Sequence, residues 1–118
     1  MALLRVIVGP DVDATAKVDK HPVTIGRGED CGLKLSDRHV SVIHAVVEPF
    51  ENGYRVRDLE TSSGTCVNGE PALERRLMFG DIIKVGVSLI LFGSGEETAD
   101  TETVRSAESP MPGDSETL

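Results

Sequence analysis

The sequence is poor in aromatic residues and in long apolar runs, and both shortages exclude classes of function. It has no Trp, one Tyr and three Phe among 118 residues, so few side chains could stack on nucleobases. Its apolar runs end after a handful of residues, far short of the roughly 20 that span a bilayer. The first residues form neither a basic leader nor a long apolar segment, so no secretory signal is predicted.

Basic residues and cysteines are also scarce. The chain has 12 Lys and Arg against 20 Asp and Glu, a net charge of -8, whereas sequence-independent nucleic-acid binding needs a basic face. Two cysteines, Cys31 and Cys66, and three His show no close metal-ligand spacing. We therefore expect reduced thiols, a cytoplasmic location, no metal, no cofactor, and neither a nucleic-acid nor a membrane partner.

Charge and composition divide the chain into two parts. Residues 94–118 contain seven acids and one base, a net charge of -6, and consist mainly of Gly, Ser, Thr, Glu, Asp and Pro. Such a segment buries too little apolar surface to offset its ordering entropy. We expect one folded domain at 1–93, followed by a disordered acidic tail, or the start of a linker, at 94–118.

The body, 1–93, alternates short β-rich segments with turn residues. Two Asn-Gly pairs, Asn52-Gly53 and Asn68-Gly69, favour tight hairpin turns because both residue types accept positive φ angles. No helical period is sustained over about ten residues. Many short strands in so short a body predict an all-β antiparallel sandwich. The predicted strands cover 3–8, 15–18, 23–25, 44–48, 54–57, 66–67, 82–85 and 87–92.

Three loops of the body carry groups suited to an anion. Gly26-Arg27-Gly28 follows a predicted strand and offers a guanidinium, whose planar fork suits a phosphate or a carboxylate. Ser41 lies three residues before His44, and its hydroxyl could bind an anion or merely satisfy its own turn. The third loop, 58–65, offers a run of hydroxyl and backbone N–H groups. Each loop alone could equally be a solvated turn.

Ser41 and His44 also suggest a catalytic pair, with the serine as nucleophile and the histidine as its base. Residues three apart at a strand entrance tend to point to opposite faces, and the sequence lacks both a Gly-x-Ser-x-Gly elbow and an acidic third member. We therefore expect no enzyme activity. Asp37-Arg38-His39, just upstream, is predicted to be a polar loop.

The order and spacing of these motifs resemble the forkhead-associated (FHA) domain. Gly26-Arg27 is followed by Ser41-x-x-His44, the 58–65 loop and Val67-Asn68-Gly69, and the resemblance covers roughly residues 3–93. It implies an eleven-stranded β-sandwich whose loops at one end bind a phosphothreonine peptide in Ser/Thr kinase signalling. The implied partners are a phosphothreonine-containing protein, a Ser/Thr protein kinase, or the chain's own phosphorylated tail. The alternative is a degenerate FHA scaffold that binds partners independently of phosphate.

The resemblance also implies roles for individual residues. Arg27 and Ser41 would contact the phosphate, and His44 would hold the loop that carries Ser41. In the family's next loop, Gly-Ser-Thr-Asn-Gly-Thr, the second hydroxyl residue touches the phosphate and the Asn grips the peptide; these places fall at Ser62 and Ser63. The implied binding residues are Arg27, Ser41, Val42, Ser62 and Ser63, with Gly26, His44, Gly64, Asn68 and Gly69 as structural support.

Two departures from the family pattern bear on affinity. Ser63 replaces an Asn that donates and accepts at once, which costs about 0.5–1.5 kcal/mol per lost hydrogen bond. Val42 replaces the basic residue of many members and offers only its backbone N–H. We expect a binder of around micromolar affinity that weakens with added salt. Candidate phosphorylation sites in the tail are Thr98, Thr101 and Thr103.

Overall fold

The chain is described by a computed structural model that covers residues 1–59 and 64–95, and these residues form eleven β-strands in two sheets. Within these two ranges, no helix has the length and apolar character to cross a membrane. The strands are β1 (Ala2–Val8), β2 (Thr15–Val18), β3 (Val23–Gly26), β4 (Leu33–Lys34), β5 (Ala45–Phe50), β6 (Gly53–Asp58), β7 (Thr65–Val67), β8 (Glu70–Pro71), β9 (Glu74–Leu77), β10 (Ile82–Val85) and β11 (Ser88–Ser94).

The two sheets confirm the predicted all-β sandwich. The six-stranded sheet has the order β2-β1-β11-β10-β7-β8, and the five-stranded sheet has the order β4-β3-β5-β6-β9. The strand pairs are antiparallel except for β3 and β4, which pair in parallel because residues 27–32 carry the chain back before β4 begins. Eight of the eleven strands correspond to segments predicted from residue pattern, whereas β4, β8 and β9 do not.

One apolar core lies between the sheets. Successive side chains of a strand point to opposite faces, so alternate residues of β1 and β11 are buried against β3, β5 and β6. Tyr54 packs edge-on against Phe92 at the margin of this core, with ring centroids 5.6 Å apart. The largest fully buried apolar side chains are Phe92, Leu4, Ile25, Leu33, Leu35, Ile83 and Ile90.

The two Asn-Gly pairs behave differently. Asn68 and Gly69 adopt φ angles of 52° and 85°, which confirms the predicted tight turn between β7 and β8. In the β5–β6 hairpin the positive φ, 55°, falls on Glu51, and Gly53 already pairs with Phe50 as the first residue of β6. That turn therefore lies one residue earlier than the Asn-Gly pair predicts.

The strand directions bring six connections to one end of the sandwich: β1–β2, β3–β4, β4–β5, β6–β7, β8–β9 and β10–β11. We call this the loop end. The chain leaves β11 at the opposite end, where Ser94 pairs with Ala2, one residue beyond the predicted boundary at 93. Predicted residues that lie outside the described part are Ser62, Ser63, Thr98, Thr101 and Thr103.

Candidate functional site

Gly26 ends β3 and allows the β3–β4 and β4–β5 loops to meet. A Cβ at this position would lie 2.2 Å from the Val42 carbonyl oxygen, so no larger residue fits without displacing that backbone. Two backbone hydrogen bonds join the loops: Arg27 N donates to Ser41 O at 3.1 Å, and Gly28 N donates to Val42 O at 3.0 Å. The structure therefore brings together Arg27 and Ser41, which are 14 positions apart in sequence.

The Arg27 side chain is exposed, and its direction is fixed by one hydrogen bond. Nε donates to the Val40 carbonyl oxygen, which belongs to the loop that also carries Ser41. Among residues 1–59 and 64–95, no carboxylate lies within ion-pair distance of this guanidinium. Its two terminal nitrogens can therefore serve a phosphate, whose oxygens match the guanidinium fork.

The buried His44 imidazole joins the Ser41 loop to the β6–β7 loop. Its Nδ1 accepts from Ser41 N at 3.1 Å, and its Nε2 lies 2.7 Å from Gly64 O. Because a carbonyl oxygen can only accept, we assign the ring proton to Nε2. Two backbone groups occupy both ring nitrogens, so the geometry opposes a role for His44 as a base that activates the Ser41 hydroxyl.

Ser41 is half-buried, and both its backbone N–H and its backbone carbonyl group make hydrogen bonds. Its N–H donates to His44, and its carbonyl oxygen accepts from Arg27. In the described part of the chain its hydroxyl makes no hydrogen bond, so that oxygen remains available to a ligand. Val42 and Ile43 follow with side chains that are each 54% exposed.

Gly64 and Thr65 bound the third loop on the side that the structure describes. Gly64 has a φ of 79°, a conformation that suits glycine, and a Cβ there would meet open space. Thr65 Oγ1 donates to Asp58 Oδ1 at 2.8 Å, which ties the start of β7 to the end of β6. Ser62 and Ser63 lie in the part of this loop outside the described residues, so their predicted contacts remain predictions.

A buried carboxylate, Asp37, holds two connections of the loop end together. This role was not predicted from the sequence. Asp37 is 2% exposed and accepts hydrogen bonds of 2.8 Å from His39 N, Val87 N and Ser88 Oγ. It thereby ties the β4–β5 loop to the β10–β11 turn. A Cβ at Gly86 would lie 2.8 Å from Asp37 Oδ2, so this turn needs a glycine. Partners 50 positions away leave no local sequence pattern.

These contacts also determine the ionisation of Asp37. Burial raises the pKa of its carboxyl, but the hydrogen bonds from His39 N, Ser88 Oγ and Val87 N, together with the nearby His39, outweigh burial. The net pKa lies below the ordinary value. Asp37 is therefore a carboxylate at neutral pH and an acceptor for all three donors.

Asn68 supports the opposite end of the sandwich. Its Nδ2 donates to Asp81 Oδ1 at 3.0 Å, and its Oδ1 accepts from Ile82 N at 3.0 Å. The β7–β8 turn is thereby fixed to the start of β10. This geometry fits a scaffold role for Asn68 and Gly69, at a distance from Arg27 and Ser41.

Two open cavities lie at the loop end. Among the described residues no cluster of three or more His, Cys, Asp or Glu could hold a metal ion. One cavity, of about 390 Å³, is lined by Thr24, Gly28, Glu29, Asp30, Cys31, Val42 and Ile43. The other, of about 260 Å³, is lined by His39, Gly64, Cys66, Lys84, Gly86 and Val87.

Comparison with known sequences identifies relatives over most of this body. The sequence profile of the FHA domain matches residues 23–86. The chain is 35% identical over 94 residues to the oxoglutarate dehydrogenase inhibitor of Corynebacterium efficiens, which covers 80% of this chain and 66% of that protein. It is 31% identical over 101 residues to the glycogen accumulation regulator GarA of Mycobacterium tuberculosis, covering 86% and 62%. The chain thus spans less than two thirds of the length of these relatives.

Solved structures give the same correspondence. The FhaA FHA domain, determined in complex with the intracellular domain of another protein, superposes with a TM-score of 0.70 at 30% identity, covering 78% of this chain and 99% of that one. A domain from a structural and functional analysis of phosphothreonine-dependent FHA interactions gives a TM-score of 0.72 at 29% identity, covering 81% and 98%.

Proposed function

The chain belongs to the FHA family, and on that premise we propose that it is a phosphothreonine-recognition module without enzyme activity. The observation that carries the proposal is the pairing of Arg27 with Ser41. Backbone hydrogen bonds hold the two residues together at the loop end. Arg27 Nε donates to the Val40 carbonyl oxygen, whereas the two terminal guanidinium nitrogens and the Ser41 hydroxyl make no hydrogen bond within the described residues. An arginine fork beside a hydroxyl donor is suited to a dianionic phosphate.

The phosphate is proposed to sit between Arg27 and Ser41, with Ser62 as a third donor. Arg27 would bind two phosphate oxygens and the Ser41 hydroxyl a further one. His44 does not touch the phosphate; it fixes Ser41 relative to Gly64 and so sets the distance between two sides of the site. The two cavities at the loop end offer room for the residues that flank the phosphothreonine.

The proposed partners are proteins phosphorylated on threonine by a Ser/Thr kinase, in a cytoplasmic signalling pathway. The relatives are named as an inhibitor and a regulator, which supports a role exerted through binding rather than catalysis. The two described cysteines, Cys31 and Cys66, are not joined in a disulfide.

The chain's own tail is a second proposed ligand, and its reach limits which threonine can serve. The tail starts at Gly95, at the end opposite the site, and the seven residues of β11 span roughly 20 Å. An extended chain advances about 3.4 Å per residue, so Thr98 reaches only about 10 Å from Gly95. Thr101, at about 20 Å, only equals the length of β11, whereas Thr103, at about 27 Å, can return to the loop end. We therefore assign self-binding to Thr103 rather than Thr98.

The alternative function, a scaffold that binds without phosphate, is kept open by Val42 and Ser63. Neither residue supplies the basic or carboxamide group that many FHA domains use for the peptide. Because binding that does not depend on phosphate has no need of the terminal guanidinium nitrogens of Arg27, replacement of this residue separates the two functions.

The test is a titration of a degenerate phosphothreonine peptide pool, its unphosphorylated twin and its phosphoserine version. The proteins are wild type, Arg27→Ala, and Arg76→Ala as a control that removes an exposed arginine of β9. Saturable binding of the phosphothreonine pool by wild type and Arg76→Ala, lost in Arg27→Ala, supports the proposal. Equal binding of the phosphorylated and unphosphorylated pools by wild type contradicts the proposal and favours the scaffold. Binding of the phosphothreonine pool that survives in Arg27→Ala does the same.

A further inference from the structure

The outer faces of the two sheets carry opposite kinds of surface. On the five-stranded sheet, charges are paired within the fold. Glu48 lies 2.8 Å from Arg55 and 2.7 Å from Arg57, and Arg55 also contacts Glu74 at 2.7 Å. On the same face Arg76 pairs with Glu51 at 3.2 Å and Lys34 pairs with Glu29 at 2.8 Å, so each of these described cations already has a carboxylate partner within the fold.

The outer face of the six-stranded sheet is apolar and basic. Its apolar side chains alternate with core residues along β1, β10 and β11 and are half-buried: Leu3, Ile7, Ile82, Leu89 and Leu91. Three exposed cations, Arg5, Lys17 and Lys84, lie among them in register. Arg5 pairs with Leu91, Lys84 pairs with Leu89, and Lys17 pairs with Leu3.

We call these eight residues the basic face, and its positive charge is uncompensated. Within the described ranges no carboxylate lies within ion-pair distance of Arg5, Lys17 or Lys84. No outward-facing residue of β1, β2, β10 or β11 is acidic. The face therefore presents three cations around a strip of partly covered leucine and isoleucine side chains, which fits an acidic, extended occupant.

We propose that this occupant is the acidic segment 96–102 of the same chain. The segment follows Gly95, whose N–H donates to Met1 O at 3.1 Å, so it starts beside β1 and directly after β11, both central strands of this sheet. It contains four acids and no base. Its charge is thus opposite to that of the face beside which it begins.

The spacing of the acids matches that of the cations. In the register of the sheet, Lys17, Arg5 and Lys84 lie level with Gly93, Leu91 and Leu89 of β11. These three β11 residues precede Gly95 by two, four and six positions. The three cations are therefore about 7, 14 and 20 Å from Gly95 along the strand direction, at roughly 3.4 Å per residue. An extended segment that turns back at Gly95 covers the same distances after two, four and six residues. The acids at or within one residue of these points are Glu97, Asp100 and Glu102.

Docking of this kind is governed by salt. Exposed ion pairs are individually weak, and screening between exposed charges is nearly complete at about 1 M salt, where the Debye length is roughly 3 Å. The segment should therefore leave the basic face as salt is raised, while the fold itself persists. This dependence gives a readout that a purely structural role for the face would not produce.

The experiment compares backbone amide chemical shifts in the full chain and in two variants with equal charge change. The test variant is Glu97→Gln/Asp100→Asn/Glu102→Gln; the control is Glu108→Gln/Asp114→Asn/Glu116→Gln. We expect the test variant, and wild type in about 1 M salt, to shift the amides of Leu3, Arg5, Leu89 and Leu91 in the same direction. The control should leave them in place. The substitutions of these two variants lie outside the described strands, so folding does not limit this comparison.

Three outcomes would overturn the inference. The amides of the basic face could be identical in wild type and the test variant, or the control could shift them equally, which would indicate only a general charge effect. The shifts could also depend on protein concentration, which would identify a second copy as the occupant. Arg5→Glu with Lys84→Glu should reproduce the test variant, whereas Arg76→Glu, on the other sheet, should not.

Discussion

The Ser41 hydroxyl is the smallest part of the proposed site that a substitution can remove. Ser41→Ala keeps the backbone that binds Arg27 and His44, and removes an oxygen without a hydrogen bond in the described part of the chain. A hydrogen bond to a charged group contributes about 1.5–3 kcal/mol, so we expect phosphopeptide Kd to rise roughly ten- to hundredfold. Isothermal titration calorimetry measures this change, and the melting temperature should stay within a degree or two of wild type.

Ser36→Ala is the matched control. Ser36 Oγ donates to Asp11 Oδ1 at 2.8 Å, so its loss removes a hydrogen bond within the fold and none in the proposed site. It should lower stability by about 1 kcal/mol and leave phosphopeptide affinity unchanged. Equal affinity of Ser41→Ala and wild type would remove Ser41 from the site.

At the scale of strands and loops, the close approach after β3 is the most demanding feature. In Gly26→Ala the new Cβ would lie 2.2 Å from the Val42 carbonyl oxygen. The carbonyl must therefore move away, and this movement separates the loops that carry Arg27 and Ser41. We expect a stability loss of about 1–3 kcal/mol, measured by urea denaturation, together with weaker phosphopeptide binding.

Gly93→Ala serves as its control because a Cβ there meets nothing within 4 Å, although the residue also lies in a strand. This variant should bind phosphopeptide like wild type. If Gly26→Ala had the same stability and phosphopeptide affinity as Gly93→Ala, neither property would depend on the close approach of Gly26 to the Val42 carbonyl.

Elements with an apolar pattern were predictable from the sequence, and those without one were not. β1, β2, β10 and β11 have alternating apolar residues, which reveals a strand with one buried face. β9 has the sequence Glu-Arg-Arg-Leu, and its outward charges are explained only by partners on β6 and the β5–β6 turn. β4 and β8 have two residues each, too few to show a period.

The candidate site divides in the same way. Arg27, Ser41 and His44 were found because the spacing of their motifs resembles a known family, and the structure places all three together. Asp37 was missed because a buried carboxylate is identified by its partners, Val87 and Ser88, which the fold alone brings near. Long-range polar contacts of this kind leave no periodic trace in a sequence.

At the scale of the whole molecule, Asp37 couples the β4–β5 loop to the six-stranded sheet, and this coupling depends on pH. Its folded-state pKa is depressed below the unfolded value, which is near 3.9. The carboxylate therefore stabilises the fold fully above the unfolded pKa, and this stability is lost as pH falls through the folded pKa. The free energy of unfolding, measured by urea denaturation, should be steady from about pH 7 to 5 and fall below about pH 4.

Asp37→Asn tests whether this residue carries the acid sensitivity. The amide keeps the size of the carboxylate but turns an N–H₂ group toward donors such as Val87 N or Ser88 Oγ, which should cost about 1–3 kcal/mol at neutral pH. Because the variant has no charge to lose at this site, its deficit relative to wild type should shrink as pH falls below about 4. Glu29→Gln, at an exposed carboxylate paired with Lys34, should change little at any pH. A deficit for Asp37→Asn that stayed constant with pH would mean that the contact is steric, and that the charge of Asp37 does not hold the loop end in place.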